Sequence, residues 1–408
     1  MHSIYTLRHQ QDTASALPTT DYRLLAILLL AVVYAQTGLA QEQWLQYRYS
    51  QDARSILPSQ YKNLQLNTKA PADVDLPKFT AEPLFTKWTT PMRKQGFLWI
   101  ALDRTTELGP YDRVYIDSNG NGSLADETPV STYRKESKRA YFKPAKLIFE
   151  IEDGPVTYHL GLQYYSGSSQ QHQLICWGAG WYEGKVTVDA QSLFCRLLDF
   201  NSNGTFDDRS DTPNQADHIT LGEDSQAPDL IVGKYISVSG GLYNLEIAQD
   251  GAFVKLNPAQ DIVYGRASMP ETISSLDVFG SNGHFIQEPQ NRTVRLPVGT
   301  YRIKSWAIER KHSDDSIWHM QGDGLTDQGG RFTVSADSPT TLRIGEPIIS
   351  SLTMDRRSSA GHSFGSQLRG RSGEQITLTR NSRRPTAPKL HVVNKAGTYE
   401  RNYQFEYG

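Results

Sequence analysis

The residue pattern predicts a mainly β protein made of several antiparallel, sandwich-like units. Three observations predict it. Apolar residues recur at period two or in short runs bounded by turn residues. Few stretches beyond the N-terminal region hold a helical period over three turns, whereas a parallel α/β sheet would need crossover helices between its strands. Punctuation by 32 Gly and 20 Pro suits tight turns between short strands.

The elements justify this in chain order. Residues 1–40 contain the longest apolar run, Leu24 to Tyr34, preceded by Arg23 and followed by Gly38, Leu39 and Ala40. The run is too short to cross a hydrocarbon core, which needs about 20 apolar residues. It reads as the core of a secretory signal peptide cleaved between Ala40 and Gln41, so the mature chain is expected to be exported with no membrane span. Residues 41–78, with Pro58, Pro71 and Pro77, read as an extended lead segment.

Strand signals are dense in 79–260. Phe97 to Leu102 and Arg113 to Ile116 are short apolar runs ending at aspartates, and Val156, Tyr158, Leu160, Leu162 and Tyr164 alternate as a half-buried strand requires. Leu242–Ile247 and Phe253–Leu256 flank Asp250-Gly251, a hairpin turn signal. A second β module is expected over 261–349, where Val294 and Leu296 are expected to pair with Tyr301 and Ile303 across Pro297–Thr300. Arg331–Val334 and Thr341–Ile344 also favour strand. The tail, 350–408, continues with strand signals at Gln375–Leu378, Leu390–Val393 and Tyr403–Tyr407.

Charge narrows the partners. Lys plus Arg number 42 and Asp plus Glu 44, for a net charge of −2, so no global field favours nucleic acid. The tail is locally basic, with ten Lys or Arg against four acids from Ser350 onward, and would suit polysaccharide or cell-envelope components of negative charge. Two cysteines, Cys176 and Cys195, lie in the mature part, and export would permit a disulfide between them.

Two segments repeat one chemistry. Asp117-Ser-Asn119-Gly-Asn121-Gly-Ser123-Leu-Ala-Asp126-Glu127 and Asp199-Phe-Asn201-Ser-Asn203-Gly-Thr205-Phe-Asp207-Asp208 both follow D-x-N-x-N-G-x-[LF]-x-D, and each is led by a strand signal. Calcium takes six to eight oxygens, and side chains at positions 1, 3 and 5 of a tight loop converge on one point. Gly at position 6 allows the sharp turn, after which the carbonyl of position 7 faces inward. The expected donors are Asp117, Asn119, Asn121 and the Ser123 carbonyl in one loop, and Asp199, Asn201, Asn203 and the Thr205 carbonyl in the other. Position 12, where an EF-hand supplies a bidentate Glu, holds Thr128 and Ser210, so the closing carboxylates are expected from Asp126 or Glu127 in the first loop and from Asp207, Asp208 or Asp211 in the second. Asn at positions 3 and 5 lowers the charge and suits the millimolar calcium of an extracellular setting.

These segments resemble the first half of the EF-hand and dockerin loops, without flanking helices, which implies a structural clamp and no opening lever. The stretch near 262–349, with its "LPVGTYRI" and "GEPI", resembles small immunoglobulin-like or transthyretin-like modules and implies a sandwich alone. The loops and the "FEYG" ending together resemble exported proteins of planctomycete-type bacteria.

No catalytic constellation survives its context. Gly361-His362-Ser363-Phe364-Gly365 matches the nucleophile elbow G-x-S-x-G, but the next stretch is polar and Gly-rich, and Glu374 and His391 follow too closely. The segment reads as a loop of small residues. Histidines lack zinc spacing, and Trp99, Trp177, Trp181, Trp306 and Trp318 read as core or sheet-face residues. The expectation is an exported calcium-binding β protein, a binding or cell-surface component. A secreted glycan-acting hydrolase is the alternative, because paired carboxylates meet only in space.

Overall fold

The computed structural model describes residues 41–58, 61–152, 154–167, 171–325, 330–358 and 361–406, so the expected leader lies outside the described residues. Among them the chain is nearly all β, in several antiparallel, sandwich-like sheets. No helix there is long and apolar enough to cross a membrane.

The largest sheet has nine strands. In hydrogen-bonded order it runs Lys62–Gln65, His172–Gly178, Gly154–Ser166, Arg139–Phe142, Val130–Glu136, Arg113–Ile116, Phe97–Asp103 and Leu84–Thr89. The ninth, Ala145–Ile151, pairs the first half of Gly154–Ser166, and Arg139–Phe142 pairs the second half. A five-stranded sheet holds Asp229–Ile231, His218–Gly222, Gln191–Leu198, Gly180–Val188 and Gln46–Tyr49. A four-stranded sheet holds Gln43–Trp44, Phe253–Pro258, Gly241–Ile247 and Tyr235–Val238.

One buried cluster draws on all three sheets. Trp88, Ile100 and Leu160 come from the largest, Val186, Leu193 and Leu197 from the second, and Ile236, Leu245 and Val254 from the third. Each such side chain contributes about 1.5–3 kcal/mol relative to exposure. The segment 41–78 is more integral than an extended lead, since Gln43–Trp44, Gln46–Tyr49 and Lys62–Gln65 each form the edge of a different sheet. Their alternation of polar and apolar residues, with Leu64 packed on the core, fits an edge strand with one side in water.

A second buried cluster lies between a three-stranded sheet (Thr293–Pro297, Tyr264–Ser268, Thr340–Thr341) and an eight-stranded one. The latter runs Gly283–Gln287, Ser275–Gly280, Gly299–Lys311, Ile317–Asp323, Gln375–Arg380, Gly361–Arg369 and Ile349–Ser358, with Arg331–Val334 pairing Gly299–Lys311. Here the expected hairpin across Pro297–Thr300 is not formed. Thr293–Pro297 pairs Tyr264–Ser268, while Gly299–Lys311 pairs Ser275–Gly280 in the other sheet. The chain therefore crosses between sheets, and Val294, Leu296, Tyr301 and Ile303 join one core cluster in place of a shared ladder. The Tyr301 hydroxyl donates to the Pro297 carbonyl at 2.7 Å and pins that crossing.

Two further expectations change. Cys176 lies in the nine-stranded sheet and Cys195 in the five-stranded one, and both are buried free thiols with no bridge between them. Each packs as a small apolar side chain in the first core, and burial pushes both thiols up to about 12. Gly361–Gly365 is no loop either. It opens the strand Gly361–Arg369, paired along Ile349–Ser358, because small residues leave the backbone free to complete a ladder. A nucleophile elbow needs a sharp strand-to-helix turn, which a continuous strand does not supply.

Candidate functional site

The two Asn-rich loops leave matching strand ends. Arg113–Ile116 delivers Asp117, and Gln191–Leu198 delivers Asp199. In each loop the glycine of position 6 has positive φ, +79° at Gly122 and +99° at Gly204, the turn that a side chain resists. Position 8 is an anchor in both cases. Leu124 and Phe206 are buried, the latter edge-on to Tyr182 with ring centroids 5.2 Å apart.

Inside the first loop, Asp117 is fully buried. Its Oδ2 accepts the Gly122 N–H at 3.2 Å, and its Oδ1 has no hydrogen-bond partner. Asn119 Oδ1 accepts the Asn121 N–H at 2.9 Å, and Asn121 Oδ1 accepts the Ser123 N–H at 2.7 Å. The amide groups of Asn119 and Asn121 donate to one oxygen, Asp126 Oδ2, at 3.4 and 2.8 Å. Hydrogen bonding from the side chains of Asn121 and Ser123 foremost, and of Asn119, holds the exposed Asp126 carboxyl below its ordinary range. Glu127 is turned away to bind the backbone and hydroxyl of Ser118.

The second loop repeats the arrangement with deeper burial. Asp199 Oδ1 accepts the Asn203 N–H at 3.1 Å, and Oδ2 accepts the Gly204 N–H at 2.7 Å and the Tyr158 hydroxyl at 2.8 Å. Asp208 Oδ2 takes the role of Asp126, accepting Asn201 Nδ2 at 2.9 Å, Asn203 Nδ2 at 2.8 Å and the Thr205 hydroxyl at 2.7 Å. Asn203 Oδ1 accepts the Thr205 N–H at 2.9 Å. Asn201, itself buried, has an Oδ1 with no partner. Asp207 lies beside this set, half-buried, its carboxyl raised by burial and by the Asp208 charge.

Burial pushes the Asp199 carboxyl up to about 6, against the pull of the Gly204 N–H and the Tyr158 hydroxyl. Three supporting groups carry no signal in the motif. Asp217, fully buried, accepts the N–H groups of Phe200 and Asp208, and burial together with the charges of Asp199 and Asp208 raises its carboxyl well above the usual range. Asp75 clasps the first loop, its N–H to Gly122 O and its carbonyl to Leu124 N–H. Arg93 donates to the Ser118 carbonyl. Each comes from a segment that only the fold brings near.

The chain matches no family model, no curated protein and no solved structure. Its geometry must therefore speak for the loops. Burying an acceptor without a partner costs about 1–3 kcal/mol, and native proteins leave few such groups. Here Asp117 Oδ1 and Asn201 Oδ1 are both left over at donor positions of the motif. A hard cation bound by oxygen would satisfy them, and the donor set, carboxylate and amide oxygens with no thiolate or imidazole, would fit calcium better than zinc. Among the described residues no three His, Cys, Asp or Glu side chains form a metal cluster, so the donors would be largely neutral oxygens.

Proposed function

We propose that the chain is an exported, non-catalytic binding or cell-surface protein whose first β sandwich is clamped by calcium in the two loops. One observation carries the reading. Two separate loops adopt the same internal hydrogen bonding, with a carboxylate at position 10 drawing in the amides of positions 3 and 5, and each retains a buried oxygen without a partner. Asp117, Asn119, Asn121, the Ser123 carbonyl and Asp126 would hold one ion. Asp199, Asn201, Asn203, the Thr205 carbonyl and Asp208 would hold the other.

Bound there, calcium supplies positive charge to a pair of carboxylates and cross-links the loop ends. The rest is the work of the chain itself. Tyr158 and the Gly204 N–H orient Asp199, the Ser118 groups hold Glu127 aside, and Leu124 and Phe206 anchor each loop to a core. Export rests on the Leu24–Tyr34 run, and Ser363 stands inside a paired strand, without the turn of a nucleophile elbow.

Isothermal titration tests the reading. Calcium is expected to bind at two sites with Kd in the range of about 0.1–1 mM, and magnesium more weakly because it keeps its waters. Asp117→Ala and Asp199→Ala should each remove one site. Titration to about 10 mM calcium without heat would overturn the proposal.

A further inference from the structure

A second, independent feature lies on the other sandwich. The hairpin end at Asn291–Arg292, the end of Tyr264–Ser268 and the segments around Arg343 and Arg371 border an open cavity of about 800 Å³. Arg292, Arg343 and Arg371 line it, interleaved with the hydroxyl groups of Ser268, Thr293 and Thr341, and no acidic side chain does. Among the described residues none of the three guanidinium groups has an ion-pair partner. Glu374, the acid nearest Arg371 in sequence, is buried and already accepts Trp306 Nε1–H and the Ser372 N–H.

The backbone holds these arginines in place. Arg292 O accepts the Met269 N–H at 3.0 Å, Arg343 O accepts the Ser372 hydroxyl, and the Arg371 N–H donates to Gly345 O at 3.0 Å. Arg292 also occupies a strained position. Asn291 and Arg292 have φ of +51° and +66°, in a two-residue turn closed by mutual Gln290–Thr293 hydrogen bonds, where the second residue is ordinarily Gly. Asp189–Ala190 and Asn381–Ser382 form positive-φ pairs without Gly as well, so the turn presents the arginine and does not by itself assign it a role.

The positive charge continues along the sheet. Ser268 is paired with Thr293, and two residues on, roughly 7 Å, Arg266 stands directly opposite Arg295 on the same exposed face. Like charges facing each other across a ladder destabilise it, unless an anion lies over both. We propose that this face, from the cavity to the Arg266–Arg295 pair, binds an acidic polysaccharide, its carboxylate or sulfate groups taken by the guanidinium forks. Hydroxyl side chains between the arginines suit a ligand whose anions are interspersed with hydroxyl groups. No aromatic ring lines the cavity, and Tyr264, beside the Arg266–Arg295 pair, has the Arg295 guanidinium over its ring 4.9 Å from the centroid, so a base of a nucleic acid finds no free ring there.

The experiment titrates the full mature chain with polygalacturonate for carboxylate, a sulfated glycosaminoglycan for sulfate, neutral dextran as control, and single-stranded oligothymidylate. Either acidic polysaccharide is expected to bind, dextran is not, and binding should weaken steeply with added salt. Arg343→Ala with Arg371→Ala should lower affinity at least tenfold, and adding Arg266→Ala should lower it further. The surface pair Lys138→Ala with Arg139→Ala should leave it unchanged. All are exposed, so an unchanged melting temperature certifies the fold. Failure of both polysaccharides at low salt, equal affinity in the Arg343 and Arg371 variant, or tighter binding of the oligonucleotide would each overturn the proposal.

Discussion

Replacing Asp117 by Asn tests the first loop through an effect that should depend on calcium. Asn keeps an acceptor for the Gly122 N–H but removes the charge and puts an amide NH2 in place of the buried, unpartnered Oδ1. With a chelator present, the substitution should alter stability by no more than about 1 kcal/mol, because the relief of a buried charge and the cost of a buried amide NH2 oppose each other. With calcium the variant should fall behind. An ion that binds only the folded state adds RT ln(1 + [Ca]/Kd), about 2.7 kcal/mol per site at a hundred times Kd. At about 2 °C per kcal/mol for a chain of this size, the variant should fall short of the wild-type calcium shift by about 5 °C. Scanning calorimetry of both proteins, with and without chelator, reads the difference. An equal calcium shift in the two, or an equal loss of stability whether calcium is present or absent, would refute the reasoning.

Asn201→Asp should tighten calcium binding by adding charge, yet destabilise the chelated protein by about 1–3 kcal/mol, because the amide that now donates to Asp208 Oδ2 and Gln215 O is lost; titration and melting separate the two effects. His159, bonded to Tyr47 and stacked on Tyr49, is held down to about 4 by burial and by Lys146. Since its folded pKa is depressed, the unfolded chain binds the proton first, and the stability this group contributes should fall as pH drops from about 6.5 to 4, opposite in sign to the contribution of the raised Asp199 carboxyl. The loss is about 1–2 kcal/mol after solvent screening and should be flattened by His159→Gln in a pH series of melts. Cys176 and Cys195 should react with a thiol reagent only after unfolding, and a reductant should leave the melting temperature unchanged.

The sequence by itself determined the fold class, because strand period and turn chemistry are local. The alternation from Val156 to Tyr164 and the Asp250-Gly251 turn both stand in the ladders where they were expected. It also determined which residues enter the loops, since Gly at position 6 and Leu or Phe at position 8 act within a few residues of the aspartate they serve. Sheet membership was decided elsewhere. Pro297–Thr300 reads as a hairpin and is a crossing between sheets, because Leu296 and Tyr301 gain more by burial in a common core than by sharing a ladder. The same holds for Cys176 and Cys195, whose separation in the fold no spacing records. Which carboxylate serves each loop was likewise decided in space. Asp126 and Asp208 face the asparagine amides while Glu127 turns to Ser118, and the buried Asp217 arrives from a later segment to hold the second loop. Local propensity fixes the direction of a turn, but the satisfaction of buried polar groups depends on everything packed around them.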